Sequence, residues 1–257
     1  PAGGRGAVDR LRGAAGGELR AARDVGGARD LVLVAAHQRA VLRGHEVGLD
    51  EVGPLLDPQL VGGERVLGSL AARSEARWDY KLAATRELDA AVSELRARKR
   101  EVVGIEVDVT EAASCARLIE SAKAAFGGID VLVNNAGLVK AGPLAIYEES
   151  DWDRLFAVNV KGIFLASKAA IPELVQRGGG AILNIASVAG KRGFAGLGAY
   201  CASKFAVVGL TEAMAQELAP MNVRVSAICP GLLATAMWMD HLSGVVGAMT
   251  GKQAGRE

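Results

Sequence analysis

Charge of one sign is what this 257-residue sequence most plainly lacks: 30 basic residues stand against 29 acidic ones. A near balance with no basic stripe removes any expectation of a nucleic-acid partner. Long apolar runs are missing too, since none approaches the roughly 18 residues that a membrane-spanning helix needs. The N-terminus lacks the charged-then-apolar layout of a secretory signal. Cysteine is scarce. Cys115, Cys201 and Cys229 cannot all pair and fall inside expected elements, so they read as small buried hydrophobes in a reducing, cytoplasmic setting. No metal site is assigned. The first residue is Pro1, so the chain is expected to be processed, trimmed or partial.

What is present divides near residue 85. About two-thirds of the first thirty residues are Ala, Gly or Arg, in neither a helical nor a strand period. Within this atypical segment, residues 1–85, only Leu31-Val-Leu-Val34 looks like a buried strand, and residues 44–68 read as loop on their Gly, Asp and Pro content. Residues 86–257 alternate clearly. Leu88–Leu95 has helical spacing, and Val102–Val109 is a β-rich run. Thr110 is expected to cap a helix ending at Gly127-Gly128. Val131–Val133 is a short apolar strand, and Ser150 opens a long helix that Pro172 kinks or ends. Ala181–Ile185, Tyr200–Leu218 and Val223–Cys229 follow as strand, helix and strand. This alternation implies an α/β fold, a single domain around a Rossmann-like, doubly wound parallel sheet, with the first 85 residues supplying its first strands.

The chemistry concentrates on Tyr200-Cys-Ala-Ser-Lys204. Spacing of four places the phenol and the ammonium on one helix face. A phenol titrates near 10, and a neighbouring ammonium favours the phenolate, so the pair can exchange a proton with a carbonyl or alcohol oxygen. Ser187 follows a strand, at the sheet edge where ligands bind in open α/β folds, and its hydroxyl can steady developing charge. Asn159 is a mediocre helix former placed mid-helix, where its amide could hold a water that relays protons to Lys204. Asn134-Asn135-Ala136-Gly137 closes a strand with a turn tight enough for a ligand to approach the backbone. Singly, each feature has a plainer reading: a chance pair, a turn start, a tolerated polar residue, a strand-ending turn.

Together, Asn134–Gly137, Asn159, Ser187 thirteen residues before Tyr200, Lys204, and Pro230-Gly231 with Thr235 resemble the short-chain dehydrogenase/reductase family in order and spacing. The resemblance covers roughly residues 87–240. It implies an NAD(P)-dependent oxidoreductase moving a hydride between NAD or NADP and a carbonyl or secondary alcohol, as in a ketoreductase. By the same resemblance Tyr200 exchanges the proton, Lys204 lowers its pKa and bonds the nicotinamide ribose, Ser187 orients the substrate, and Asn159 anchors the relay water. Asp108, Val109, Asn135, Ala136 and Gly137 would line the adenosine side, and Leu233 and Thr235 would meet the carboxamide end. A homodimer or homotetramer paired through helices near 150–176 and 200–218 is implied as well. The apolar stretch from Met237 to Met249 is expected to be a lid or a surface helix.

The sequence departs from the family at its start. The family's glycine-rich turn, whose amides meet a pyrophosphate, has no complete counterpart in residues 1–100. Residues 61–73 echo the turn and its helix faintly, and the position that separates NAD from NADP counts to Leu82, near Asp79. Residues 1–80 are therefore expected to be diverged or read in a shifted frame, and the C-terminus to be short. The alternative left open is a binding or scaffold protein of this family, or a partial chain, without the cofactor turn.

Overall fold

The structure, a computed structural model, describes residues 31–34, 66–69, 85–98 and 100–231. Among the described residues five parallel strands form one sheet: β1 (Leu31–Val34), β2 (Val66–Ser69), β3 (Val131–Asn134), β4 (Gly180–Ile185) and β5 (Val223–Ile228), lying side by side in that order. The helices are α1 (Thr85–Ala97), α2 (Ala112–Phe126), α3 (Glu149–Phe156), α4 (Gly162–Gln176) and α5 (Gly198–Leu218). Parallel neighbours need crossovers, and the helices supply them between β3, β4 and β5. The result is a single Rossmann-like α/β domain.

Two expectations change at the front of the sheet. Residues 61–73 were expected to echo a turn and helix, yet Val66–Ser69 is a strand pairing with β1 on one side and β3 on the other. A four-residue segment containing Gly68 has little strand propensity of its own; the ladders on both sides decide the matter. The gap that a missing first strand would leave beside Val131 is filled by β2. Conversely, Val102–Val109 is not a strand: apart from a single bridge at Glu101 it makes no ladder. Three of its four valines are buried all the same. Val102 packs with Leu88, Val92 and Leu95 of α1, while Val107 and Val109 join the main core.

The main core lies between β3–β5 and helices α2, α4 and α5. Leu118, Leu132, Leu174 and Ile182 are wholly enclosed there, each worth about 1.5–3 kcal/mol of burial. Helix α2 ends as expected, with Gly127 left-handed at φ 76° and its amide donating to the Lys123 carbonyl. Its start differs. Glu111, not Thr110, is the N-cap residue, and Thr110 instead donates both its amide and its hydroxyl to the Asp108 carboxylate.

Helices α3 and α4 are one 28-residue rod, Glu149–Gln176, joined by a π-turn at Ala157–Lys161 in which the Gly162 amide reaches back to the Ala157 carbonyl. Pro172 lies inside α4 without ending it. The rod is long and apolar enough to cross a membrane, but half of its apolar window is buried within this fold. Gly162 is required where the rod meets the end of the valine run, because a Cβ there would sit 2.8 Å from Val109 Cγ2.

Candidate active site

The C-terminal ends of β3, β4 and β5 bring the sequence-predicted residues to one edge of the sheet, where open α/β folds bind ligands. From β3 the chain runs through exposed Asn135 and half-buried Ala136 to buried Gly137. From β4 it reaches Ser187, which caps a short 3₁₀ turn by accepting a hydrogen bond from the Ala189 amide at 3.1 Å. β5 leads to Pro230, whose carbonyl accepts from the Val188 amide at 2.8 Å and ties that turn down.

Helix α5 carries Tyr200 and Lys204 against this edge. The Lys204 ammonium is buried, donates to the Ile185 carbonyl at 2.8 Å, and lies 5.7 Å from the centre of the Tyr200 ring. Burial pulls its pKa down to about 8, opposed by charge on Cys229. Burial likewise pushes the Tyr200 phenol up to about 12, against a hydrogen bond from Ser187 that lowers it. The lowering of the phenol by Lys204 that the sequence led us to expect is not among the influences on it: the ammonium is spent on the Ile185 carbonyl and lies over the ring. At neutral pH the phenol keeps its proton and the lysine is mostly charged.

Asn159 differs more from expectation. It sits in the π-turn, fully buried, and clasps the backbone just past Gly137: its Oδ1 accepts from the Leu138 amide at 2.7 Å, and its Nδ2 donates to the Leu138 carbonyl at 2.9 Å. The second Nδ2 proton goes to Ser203 Oγ at 3.0 Å, and Ser203 donates onward to the Tyr200 carbonyl at 2.8 Å. Both amide protons are thus committed to protein, so the side chain holds the β3 loop to helix α5 rather than offering a donor to a water. π-turns of this kind gather at functional sites.

Gly137 faces this centre: a Cβ on it would lie 3.4 Å from Lys204 Nζ and 3.5 Å from Asn159 Oδ1. At the far side, Asp108 holds Thr110 with one carboxylate oxygen while Val109 is buried in the core. Leu233 and Thr235, together with the expected lid over residues 237–249, lie outside the described residues.

A family model for short chain dehydrogenases matches residues 59–244. The chain belongs to the short-chain dehydrogenase family. It is 42% identical over 158 residues to dehydrogenase/reductase SDR family member 4 of Oryctolagus cuniculus, covering 60% of this chain and 61% of that protein. It spans about three-fifths of the length of the first curated relatives it matches. An NAD+-bound xylitol dehydrogenase superposes with a TM-score of 0.63 at 30% identity, covering 79% of this chain and 70% of that one. A gluconate 5-dehydrogenase from Burkholderia cenocepacia, in complex with NADP and tartrate, gives 0.64 at 26% identity over 84% and 76%.

Three features of this family member escaped the sequence reading. Ser203 is one. A buried relay is another, in which Asn134 Nδ2 donates to Ser167 Oγ (3.1 Å) and Asn184 Oδ1 (2.8 Å), and Asn184 donates to Thr211 (2.9 Å). Asn134 and Asn184 stand opposite each other in the β3–β4 register, an alignment invisible without the pairing. The third is Gly190, where a Cβ would lie 2.6 Å from the Lys204 carbonyl oxygen. Backbone cannot yield as a side-chain end can, so Gly190→Ala is expected to push the Ser187 turn off α5. A cost of about 1–3 kcal/mol, a few degrees in Tm, should accompany an activity loss of about 100-fold. Melting curves beside steady-state kinetics check this; an alanine variant unchanged in both would show that the turn has slack.

Proposed function

We propose that this chain is an NAD(P)-dependent oxidoreductase that interconverts a carbonyl compound and a secondary alcohol. The observation that carries the reading is the convergence of the Tyr200 phenol, the Ser187 hydroxyl and the buried Lys204 ammonium at the C-terminal edge of a parallel sheet. The residues present suit a nicotinamide cofactor. Gly137 leaves beside Lys204 and Asn159 a space that any Cβ would fill, and exposed Asn135 with half-buried Ala136 borders it.

When bound, the nicotinamide would supply or take up the hydride at the carbonyl carbon. In the reductive direction Tyr200 gives its phenolic proton to the carbonyl oxygen as negative charge grows there, and the Ser187 hydroxyl donates to the same oxygen. With a pKa of about 12 the phenol arrives at that step protonated. Lys204, whose ammonium lies over the Tyr200 ring, would donate to the nicotinamide ribose. Asn159 acts by position, fixing Leu138 and, through Ser203, the Tyr200 backbone. Asp108, Val109, Asn135, Ala136 and Gly137 are assigned the adenosine side, and Leu233 and Thr235 the carboxamide end.

Two broader features fit the reading. Phe164 on α4 and Phe205 on α5 leave nearly half of their surfaces exposed, which suits pairing of these helices in a homodimer or homotetramer. Three free thiols suit a reducing cytoplasm. The test is oxidation of NADH or NADPH by the purified chain across a panel of ketones and diketones. We expect turnover with at least one ketone, with deuterium delivered from deuterated cofactor to the carbinol carbon. Cofactor binding without any turnover across the panel would favour the binding-protein alternative.

A further inference from the structure

The connection between Ser187 and Tyr200, thirteen positions apart, carries two cations the reaction does not use. Lys191 and Arg192 are both exposed, and their amides turn back onto the Val188 carbonyl at 3.0 and 3.2 Å. The turn beneath them is fixed, since Ser187 caps it, Pro230 tethers it, and Gly190 presses it against the Lys204 backbone. Neither cation makes an ion pair among the described residues, although Lys123, Lys140 and Arg177 all do.

Arg192 is not loose for want of a carboxylate. Its guanidinium carbon lies 4.9 Å from the centre of the Phe194 ring. Phe194 in turn packs on a buried cluster of Val139, Ala189, Leu197 and Cys201, the same cluster on which Tyr200 packs. A planar cation is therefore held on an aromatic plate whose support is shared with the proposed proton donor. Its edge N–H groups stay open to solvent, and that is the geometry that accepts a carboxylate or phosphate in a two-pronged fashion.

The geometry points to Arg192, seated on Phe194 and assisted by Lys191, as an anchor for the anionic end of the substrate, whose class is then an oxo acid or a related carbonyl compound bearing a remote carboxylate or phosphate. This rests on the reading of Ser187 and Tyr200 as the groups that meet the reacting oxygen. It adds a specificity-determining residue to them: the anion fixes one end of the molecule and the carbonyl falls to Tyr200.

The experiment uses calorimetric binding, so that it does not depend on turnover. The full chain is saturated with NADH or NADPH and titrated with 4-oxopentanoate and 5-oxohexanoate, and in parallel with their methyl esters. The acids should bind at least tenfold tighter than the esters. Arg192→Gln should remove that preference without altering ester binding, Arg192→Lys should restore part of it, and added salt should weaken the acids alone. A wild-type chain that does not distinguish acid from ester, or an Arg192→Gln variant that keeps the preference, overturns the proposal. Tyr200→Phe separates this from the catalytic reading, because it should bind the acids normally while failing to reduce them. Arg192-dependent binding of acids that wild-type protein never reduces would leave the anion anchor standing and remove the oxidoreductase assignment.

Discussion

Replacing Tyr200 by phenylalanine is expected to lower kcat about 10³-fold while leaving nicotinamide binding and melting temperature almost unchanged. General acid–base groups contribute about 10²–10⁴-fold, and Tyr200 is the side chain assigned to move a proton at this edge of the sheet. The substitution removes one oxygen. The ring stays packed on the Val139–Leu197 cluster, and the helix is unaffected because Ser203 bonds the Tyr200 carbonyl and not its hydroxyl. The Ser187 hydroxyl loses its phenol partner but keeps the Ala189 amide. Steady-state kinetics beside cofactor titration checks this. A Phe variant with a third or more of wild-type kcat would place the proton donor elsewhere.

The second large effect belongs to Lys204. Lys204→Met keeps an unbranched chain of similar length in the same buried slot, yet removes the ammonium that faces the Tyr200 ring and bonds the Ile185 carbonyl. An activity loss of about 10²-fold or more is expected, with weaker cofactor binding. Stability should respond with a definite sign. Folding lowers the lysine pKa from 10.5 to about 8, so between those values the unfolded chain binds a proton that the folded chain does not. Stability of the wild type therefore rises with pH across that window, by up to about 3 kcal/mol, and Lys204→Met abolishes the rise. Tyr200 acts oppositely from pH 10 upward. Its folded pKa of about 12 lies above its usual 10, so folded protein holds a proton that unfolded protein releases, and stability falls there in both variants. Chemical denaturation of the two proteins at pH 7 and pH 9.5 isolates the lysine contribution. If the difference in stability between them does not change with pH, Lys204 titrates normally and is not buried as described.

These predictions rest on residues the sequence already singled out, and the reason is short range. Tyr200 and Lys204 share a helix face by spacing alone, and Ser187 and Asn135–Gly137 follow strands whose apolar runs are plain. What was not legible depends on partners far along the chain. Val66–Ser69 is a strand because β1 and β3 flank it, whereas its own composition is poor for one. Val102–Val109 has the valines of a strand and buries several of them, but it makes no ladder, so its composition misled. Asn159 was noticed for being a poor helix former. Its clasp on Leu138 and its link to Ser203 needed the π-turn, and nothing in the run Ala157–Lys161 announces that turn. Asn184 carried a usable signal, an amide in the middle of an otherwise apolar strand, and it answers Asn134 directly across the register.

The central claim is that this edge of the sheet receives a nicotinamide cofactor even though residues 1–100 contain no complete glycine-rich turn of the family's spacing. The most direct measurement is titration of the purified chain with NADH and with NADPH, following nicotinamide fluorescence, on protein shown to melt cooperatively. Saturable binding of at least one cofactor in the micromolar range, weakened by Gly137→Val through the space beside Lys204 and Asn159, is the predicted result. A cooperatively folded protein that binds neither would contradict the account and leave Tyr200, Lys204 and Ser187 without the hydride source their arrangement requires.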